Sequence, residues 1–135
     1  MTDQPRTRIL YVEDEELNRA LLRAVLQRAP DSRLRSASLL EARTLAQARA
    51  ILTEQAIDLV LLDVRLPDGS GLDLVREIKS RDPGLGVVVM SASVLPAERD
   101  EAIRAGCDAF VAKPYVPVEL LATLNRVLPT APTDE

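Results

Sequence analysis

Two kinds of hydrophobic pattern alternate along the chain. Short continuous apolar runs at residues 9–12, 58–62, 86–90 and 109–112 are typical of strands that are buried in a sheet. A weaker run at residues 33–37 predicts one more strand. Between these runs, apolar residues recur at intervals of three and four, which is typical of helices with one buried face. The alternation predicts an α/β fold with a parallel sheet of five strands.

Capping residues and helix breakers set the boundaries of the predicted helices. The first helix is predicted over residues 15–29. Ser70 is expected to cap the third helix, and Pro96 and Gly106 are expected to begin and end the fourth. The fifth helix is predicted to begin at Pro117. The spacing of apolar residues in the first helix predicts one buried stripe, made of Leu17, Ala20, Leu21, Ala24 and Val25.

The length of 135 residues indicates one globular domain. We place this domain at residues 8–128 and expect residues 129–135 to be a flexible tail or the start of a linker. No apolar run approaches the roughly 20 residues that a membrane-spanning helix needs, and the first residues contain no apolar signal segment. We therefore expect a cytoplasmic protein that does not bind a membrane.

The inventory of side chains excludes several functional classes. The 17 basic and 21 acidic residues give a net charge of −4, which argues against direct binding of nucleic acid. The sequence has no histidine, so Ser-His-Asp triads, Cys-His pairs, His-ligated zinc and a phosphohistidine of its own are excluded. Cys107 is the only cysteine and cannot form a disulfide within the chain.

The candidate chemistry collects where the predicted strands end. Glu13 and Asp14 follow the first strand, Asp63 the third, Ser91 the fourth and Lys113 the fifth. Ligands of open parallel sheets bind at the carboxyl ends of the strands, so we expect these side chains to converge. Carboxylates that repel one another favour a hard divalent cation, and Mg²⁺ suits a site with a phosphorylated partner. Asp63 is then the candidate nucleophile, and Lys113 and Ser91 are candidate partners of the phosphoryl oxygens.

Four segments of the chain resemble the receiver domain of two-component response regulators. They read YVEDE at 11–15, LLDVRLPDGSG at 61–71, MSA at 90–92 and AGCDAFVAKP at 105–114. The resemblance spans nearly the whole chain. It implies the doubly wound, flavodoxin-like fold, a three-layer sandwich of five βα units whose parallel strands have the order 2-1-3-4-5.

The resemblance also implies a role for each residue of the metal and phosphoryl site. Asp63 corresponds to the phosphoacceptor, Asp14 to a direct Mg²⁺ ligand, and Glu13 to a carboxylate that acts through metal-bound water. Arg65 would offer its backbone carbonyl to the metal, and Lys113 would bridge to the phosphoryl group. Glu13 stands where aspartate is more frequent, a change that adds a methylene group and should not abolish metal binding.

A hydroxyl and an aromatic ring match the switch pair of the family. Ser91 would move toward a phosphoryl oxygen, and the ring of Phe110 would turn inward into the vacated space. Phe110 has no hydroxyl, so a partner contact through a tyrosine hydroxyl is excluded. Ala92 is small, as expected where a phosphodonor enters the site.

Two loop positions and one peptide bond complete the resemblance. Arg65 and Ser93 occupy the two variable positions that tune hydrolysis of the aspartyl phosphate. The peptide bond before Pro114 is expected to be cis, which costs only about 0.5 to 1 kcal/mol for an X-Pro bond.

The leading hypothesis is a phosphorylation-activated signalling switch. A histidine kinase or histidine phosphotransfer protein donates a phosphoryl group to Asp63. A downstream output partner then recognises a shift in the face made by the fourth helix, the fifth strand and the fifth helix. Such a protein catalyses its own phosphorylation and dephosphorylation but is not a turnover enzyme. The fifth helix carries only Arg126 as a basic residue, so we expect a monomer or a weak activation-dependent dimer.

Two other functions compete with this hypothesis. A phosphatase of the haloacid dehalogenase type needs a second acid two residues after the nucleophile, and this chain has Arg65 there. A receiver-like adaptor would bind its partners without phosphorylation and without Mg²⁺. Taken singly, Glu13 and Asp14 can be helix-capping residues and Lys113 can be a surface lysine, so the phosphoryl site rests on all these residues occurring together.

Overall fold

The computed structural model describes residues 6–93 and 95–129. Its strands are β1 Arg8–Val12, β2 Ser38–Ala42, β3 Leu59–Asp63, β4 Arg65–Leu66, β5 Gly69–Ser70, β6 Gly86–Ser91 and β7 Ala109–Ala112. Its helices are α1 Glu16–Gln27, α2 Ser32–Arg35, α3 Leu45–Glu54, α4 Gly71–Arg81, α5 Pro96–Ala105 and α6 Pro117–Val127. The predicted tail lies outside the described residues except for Pro129.

The main sheet is parallel and has the order β2-β1-β3-β6-β7. The strands β4 and β5 form a separate antiparallel hairpin directly after β3, which the sequence did not predict. When only the five strands of the main sheet are numbered along the chain, their order across the sheet is 2-1-3-4-5, as the family resemblance implies. Asp63 pairs in register with Met90, and Val12 pairs with Leu62, so the carboxyl ends of neighbouring strands meet at one edge.

Helices cover both faces of this sheet, as the family resemblance implies. Buried side chains of α3, α4 and α5 pack on one face, where the core includes Leu45, Leu74 and Ala102. Buried side chains of α1 and α6 pack on the other, where the core includes Leu22 and Leu124. The predicted three-layer α/β class is confirmed. Among the described residues, no helix is long and apolar enough to cross a membrane.

The predicted second strand at residues 33–37 is wrong. Residues Ser32–Arg35 form the short helix α2 instead, because the carboxylate of Asp31 accepts a hydrogen bond of 2.7 Å from the backbone N–H of Arg33 and caps it. The strand follows at Ser38–Ala42, where it pairs with β1.

In the predicted stripe of the first helix, Val25 is buried as expected, but the register of the stripe is otherwise wrong. Leu17 and Leu21 are 80% and 50% exposed, whereas Leu22 and Leu26 are buried in the core. Residues 22, 25 and 26 form a second apolar stripe, whose members are also three or four residues apart. The sequence pattern alone therefore does not decide which of the two stripes is buried. The helix turns its second apolar stripe inward and leaves Leu17 and Leu21 facing solvent.

The predicted caps are confirmed for the helices that follow the site. The hydroxyl of Ser70 accepts a hydrogen bond from the backbone N–H of Leu72 and begins α4. Pro96 and Pro117 occupy the first turns of α5 and α6. Gly106 ends α5 with a φ of 111°, a left-handed conformation that glycine adopts without strain.

Candidate functional site

The predicted site residues meet at the carboxyl edge of the main sheet. Glu13, Asp14, Asp63 and Lys113 line one open cavity of about 470 Å³, together with Ala92. They come from the ends of β1, β3, β6 and β7, which are neighbours in the sheet. The topology therefore brings together acids and a lysine that lie up to 100 residues apart in the chain.

Lys113 lies between two carboxylates. Its Nζ atom donates hydrogen bonds to Asp63 Oδ2 at 2.8 Å and to Glu13 Oε1 at 3.0 Å. Burial alone would lower the pKa of Lys113, but these hydrogen bonds outweigh it and hold the pKa above its usual value. The ammonium group therefore stays charged beside Asp63. The peptide bond from Lys113 to Pro114 is cis, as the resemblance implies.

Glu13 is a buried carboxylate with only 1% of its surface exposed. It accepts hydrogen bonds from the Tyr11 hydroxyl at 3.3 Å, from the backbone N–H of Glu15 at 3.1 Å and from Lys113. Burial alone would raise the pKa of Glu13, but the bonds from Lys113 and from the Glu15 N–H more than offset it and lower the pKa. Glu13 thus keeps its negative charge inside the protein.

Asp63 is held from two sides. Its Oδ1 atom accepts a hydrogen bond of 3.2 Å from the backbone N–H of Arg65, and its Oδ2 atom accepts the bond from Lys113. The hairpin of β4 and β5 carries Arg65 next to Asp63, and its Asp68 carboxylate accepts the backbone N–H groups of Leu45 and Ala46 at the start of α3. The loop after the candidate phosphoacceptor is therefore anchored to a helix.

The donor set of this edge fits Mg²⁺ in its chemistry. Within residues 6–93 and 95–129, no three His, Cys, Asp or Glu side chains are grouped closely enough to form a metal cluster. Mg²⁺ does not need one, because it keeps several waters and takes only one or two protein carboxylates. The carboxylates of Asp14 and Asp63 line the same cavity and offer the hard oxygen ligands that this ion prefers.

The two residues predicted to form the switch pair lie at the carboxyl end of β6 and within β7. Ser91 is 3% exposed, and its Oγ donates a hydrogen bond to the Glu98 carboxylate while accepting one of 3.1 Å from the backbone N–H of Ser93. Phe110 is half-buried and packs against the core on the α3–α4–α5 face. Ser91 therefore contacts Glu98 in this structure.

Arg19 is a buried residue of this region that the sequence analysis missed. Its guanidinium group donates hydrogen bonds to the backbone carbonyl of Glu13 at 2.9 Å, to Glu41 at 3.1 Å and to Glu16 at 2.7 Å. Only 6% of the residue is exposed. Arginine is rarely buried, so neither its type nor its position in the helix pattern predicted this role. Arg19 fixes the turn that carries Glu13 and Asp14.

Replacing Arg19 with alanine is expected to lower the free energy of unfolding by about 2 to 3 kcal/mol, because it leaves the buried Glu13 carbonyl without its donor and leaves Glu41 with Arg23 alone. Urea unfolding followed by far-UV circular dichroism measures this loss. Arg23→Ala is the matched control, since Arg23 pairs with Glu16 and Glu41 from a half-exposed position. Equal losses for both variants would contradict a special role for Arg19.

Tyr115 is a second residue that the sequence analysis missed. It lines the cavity beside Lys113, and its buried hydroxyl has no hydrogen-bond partner among the described residues. Burial also raises the pKa of Tyr115. The sequence could not predict that the Tyr115 hydroxyl is buried without a hydrogen-bond partner, because such bonds depend on tertiary contacts.

Replacing Tyr115 with phenylalanine is expected to raise the free energy of unfolding by about 1 kcal/mol, because it removes a buried polar group that gains no bond. Tyr11→Phe is the control, since the Tyr11 hydroxyl bonds to Glu13 and its loss is expected to destabilise the protein. Chemical denaturation of both variants gives the comparison. A lower stability for Tyr115→Phe would show that its hydroxyl has a partner after all.

Comparisons with known proteins agree with this geometry. The family model for the response regulator receiver domain matches residues 9–125. Protein PetR of Rhodobacter capsulatus is 33% identical over 125 residues, which cover 92% of this chain and 49% of PetR. The polar-differentiation response regulator DivK of Brucella anthropi is 29% identical over 122 residues, which cover 89% of this chain and 94% of DivK. This chain thus spans about half the length of PetR and nearly all of DivK.

A solved structure has the same fold. The solution structure of the beryllofluoride-activated NtrC4 receiver domain dimer matches with a TM-score of 0.80 and 28% sequence identity. The match covers 90% of this chain and 95% of that one.

Proposed function

Because the chain belongs to the response regulator receiver domain family, we propose that it is a phosphorylation-activated switch in which Asp63 accepts a phosphoryl group. The donor is a histidine kinase or a histidine phosphotransfer protein of a two-component or phosphorelay system. The observation that carries this proposal is the contact of 2.8 Å between Lys113 and Asp63, next to Glu13 and Asp14 at the carboxyl edge of the sheet.

The transfer step uses Asp63 as the nucleophile. A carboxylate oxygen of Asp63 attacks the phosphorus of a phosphohistidine, and the P–N bond breaks. Its electron pair stays on the imidazole nitrogen of the donor protein, which takes up a proton from solvent. The charged ammonium group of Lys113 stabilises the oxygens of the phosphoryl group during transfer and pairs with them afterwards.

Receiver domains bind Mg²⁺ at the phosphorylation site, and the residues of this chain suit that ion. Asp14, Asp63 and the backbone carbonyl of Arg65 would hold it, with Glu13 acting through metal-bound water. When bound, the ion supplies positive charge for the phosphoryl oxygens. Glu13 supports this arrangement, since its buried negative charge is held by Lys113 and the Glu15 N–H.

The output face is formed by α5, β7 and α6, the face predicted from the family resemblance. On phosphorylation, Ser91 would donate to a phosphoryl oxygen and the ring of Phe110 would turn inward. Large apolar side chains within α5 and α6 or at their N-caps are exposed to solvent, namely Leu95, Ile103, Val116 and Val118. Their exposure supports contact with a downstream partner protein or output domain.

The proposed function also includes the reactions that the protein catalyses and its oligomeric state. Receiver domains are signalling switches and not turnover enzymes, and we propose that phosphorylation and dephosphorylation of Asp63 are the only reactions here. The solved NtrC4 receiver domain is a dimer in its beryllofluoride-activated form, and we expect this chain to be a monomer or a weak dimer that forms on activation. The cytoplasmic location and the domain boundaries at 8 and 128 stay predictions.

Incubation with acetyl phosphate and Mg²⁺, followed by intact mass spectrometry at neutral pH, tests the proposed function. We expect one added phosphoryl group, which disappears when EDTA removes the metal. Beryllofluoride with Mg²⁺ should shift the NMR signal of Phe110. Failure of both reagents to change the protein would favour the adaptor that works without phosphorylation.

A further inference from the structure

Glu98 contacts the switch hydroxyl and is not among the residues that the family resemblance supplies. Glu98 lies in the first turn of α5, and its Oε1 atom accepts the hydrogen bond of Ser91 Oγ. Its Oε2 atom lies 3.5 Å from the guanidinium group of Arg65. The Glu98 side chain is only 14% exposed. One carboxylate thus joins the end of β6, the loop after Asp63 and the start of α5.

The two contacts of Glu98 differ in strength. The Arg65 side chain is 78% exposed, so its ion pair with Glu98 is screened by water and contributes little. Ser91 is buried, and its bond to a carboxylate is charge-assisted. The Ser91 bond is therefore the contact that holds Glu98 in place.

A serine hydroxyl has a single proton to donate. In this structure that proton is directed at Glu98, while the Ser91 oxygen accepts the backbone N–H of Ser93 at 3.1 Å. A phosphoryl oxygen on Asp63 would need the same proton. Because Ser91 has only this proton, a bond to a phosphoryl oxygen forms at the expense of the bond to Glu98.

We propose that Glu98 is a positioning residue that holds the Ser91 hydroxyl in the unphosphorylated state and competes with the phosphoryl group for its proton. This inference rests on the proposed function of Asp63. Loss of the Ser91 bond releases the first turn of α5, which belongs to the output face. The competition therefore couples the charge on Asp63 to the position of α5 and sets how readily the switch is activated.

Titration with beryllofluoride in Mg²⁺, followed by the NMR signals of Ser91 and Phe110, tests the competition. Glu98→Ala is expected to lower the half-saturating concentration by about 10-fold, since it removes a charge-assisted bond from the inactive state. Glu98→Gln should have a smaller effect, because its amide oxygen still accepts the hydroxyl but without a charge. Glu101→Ala, an equal change of charge at an exposed position of the same helix, should leave the titration unchanged.

Two further experiments distinguish the Ser91–Glu98 contact from a general effect of removing a negative charge. In a Ser91→Ala background, Glu98→Ala should change nothing, because the shared proton is gone. Without any phosphodonor, the amide of Ser93 should exchange its hydrogen faster in Glu98→Ala than in Glu101→Ala, since it bonds to the Ser91 oxygen. Equal exchange in the two variants would overturn the inference.

The outcomes distinguish this inference from the proposed function. If the protein with its native sequence does not respond to beryllofluoride, the proposed function fails and the competition fails with it. If that protein responds but Glu98→Ala and Glu101→Ala titrate alike, the inference alone is overturned.

Discussion

Asp63→Asn is expected to abolish the gain of a phosphoryl group from acetyl phosphate and Mg²⁺. The amide has nearly the shape of the carboxylate, so the fold should be preserved, but its oxygen is neutral and is a poor nucleophile toward phosphorus. The change also removes the negative charge that Lys113 contacts at 2.8 Å. Intact mass spectrometry should show the unmodified mass alone, under conditions in which the protein with Asp63 gains one group.

Asp73→Asn is the matched control for this prediction. Asp73 is an exposed aspartate in the first turn of α4, where it pairs with Arg76 at 3.0 Å, and it does not line the cavity that contains Asp63. The control variant should be phosphorylated to the same extent as the native sequence. A phosphoryl group that still appears on Asp63→Asn would place the phosphoacceptor at another residue and would remove the basis of the proposed function.

The main sheet could be predicted because its central strands are continuous apolar runs. Residues Leu59–Asp63 and Gly86–Ser91 are almost entirely buried, so local hydrophobicity reports their position directly. The site followed from the same strands, since parallel topology places every carboxyl end at one edge. Asp63 and Lys113 could therefore be paired from sequence although they are 50 residues apart.

The errors arose where tertiary contacts decide between similar local patterns. The first helix has two apolar stripes, and the core selected the one with Leu22 and Leu26. The guanidinium group of Arg19 is buried on the same helix because Glu13 and Glu41 come from other elements to meet it. At residues 33–37, the capping bond of Asp31 outweighed a weak strand pattern. The Glu98 contact also needs a helix and a strand end to be placed first.

Gly71→Ala is expected to be the most destabilising small substitution near the site. A Cβ atom at Gly71 would lie 2.1 Å from the backbone carbonyl oxygen of Asp63 and 2.8 Å from a methyl group of Leu62. The first turn of α4 or the end of β3 must then move, although the Gly71 N–H is bonded to the Val64 carbonyl at 2.7 Å. Alanine favours a helix by less than about 1 kcal/mol over glycine, which cannot offset such a clash.

We expect Gly71→Ala to lower the free energy of unfolding by about 3 kcal/mol or more in urea denaturation, the cost of severe overpacking. Phosphorylation by acetyl phosphate should also fall, because the clash acts on the backbone of Asp63 itself. Gly84→Ala is the control, since its nearest neighbour is the Asp82 carboxylate at 3.8 Å in an exposed turn. If Gly71→Ala were as stable and as readily phosphorylated as Gly84→Ala, then the close packing of α4 against Asp63 would not be what positions the phosphoacceptor.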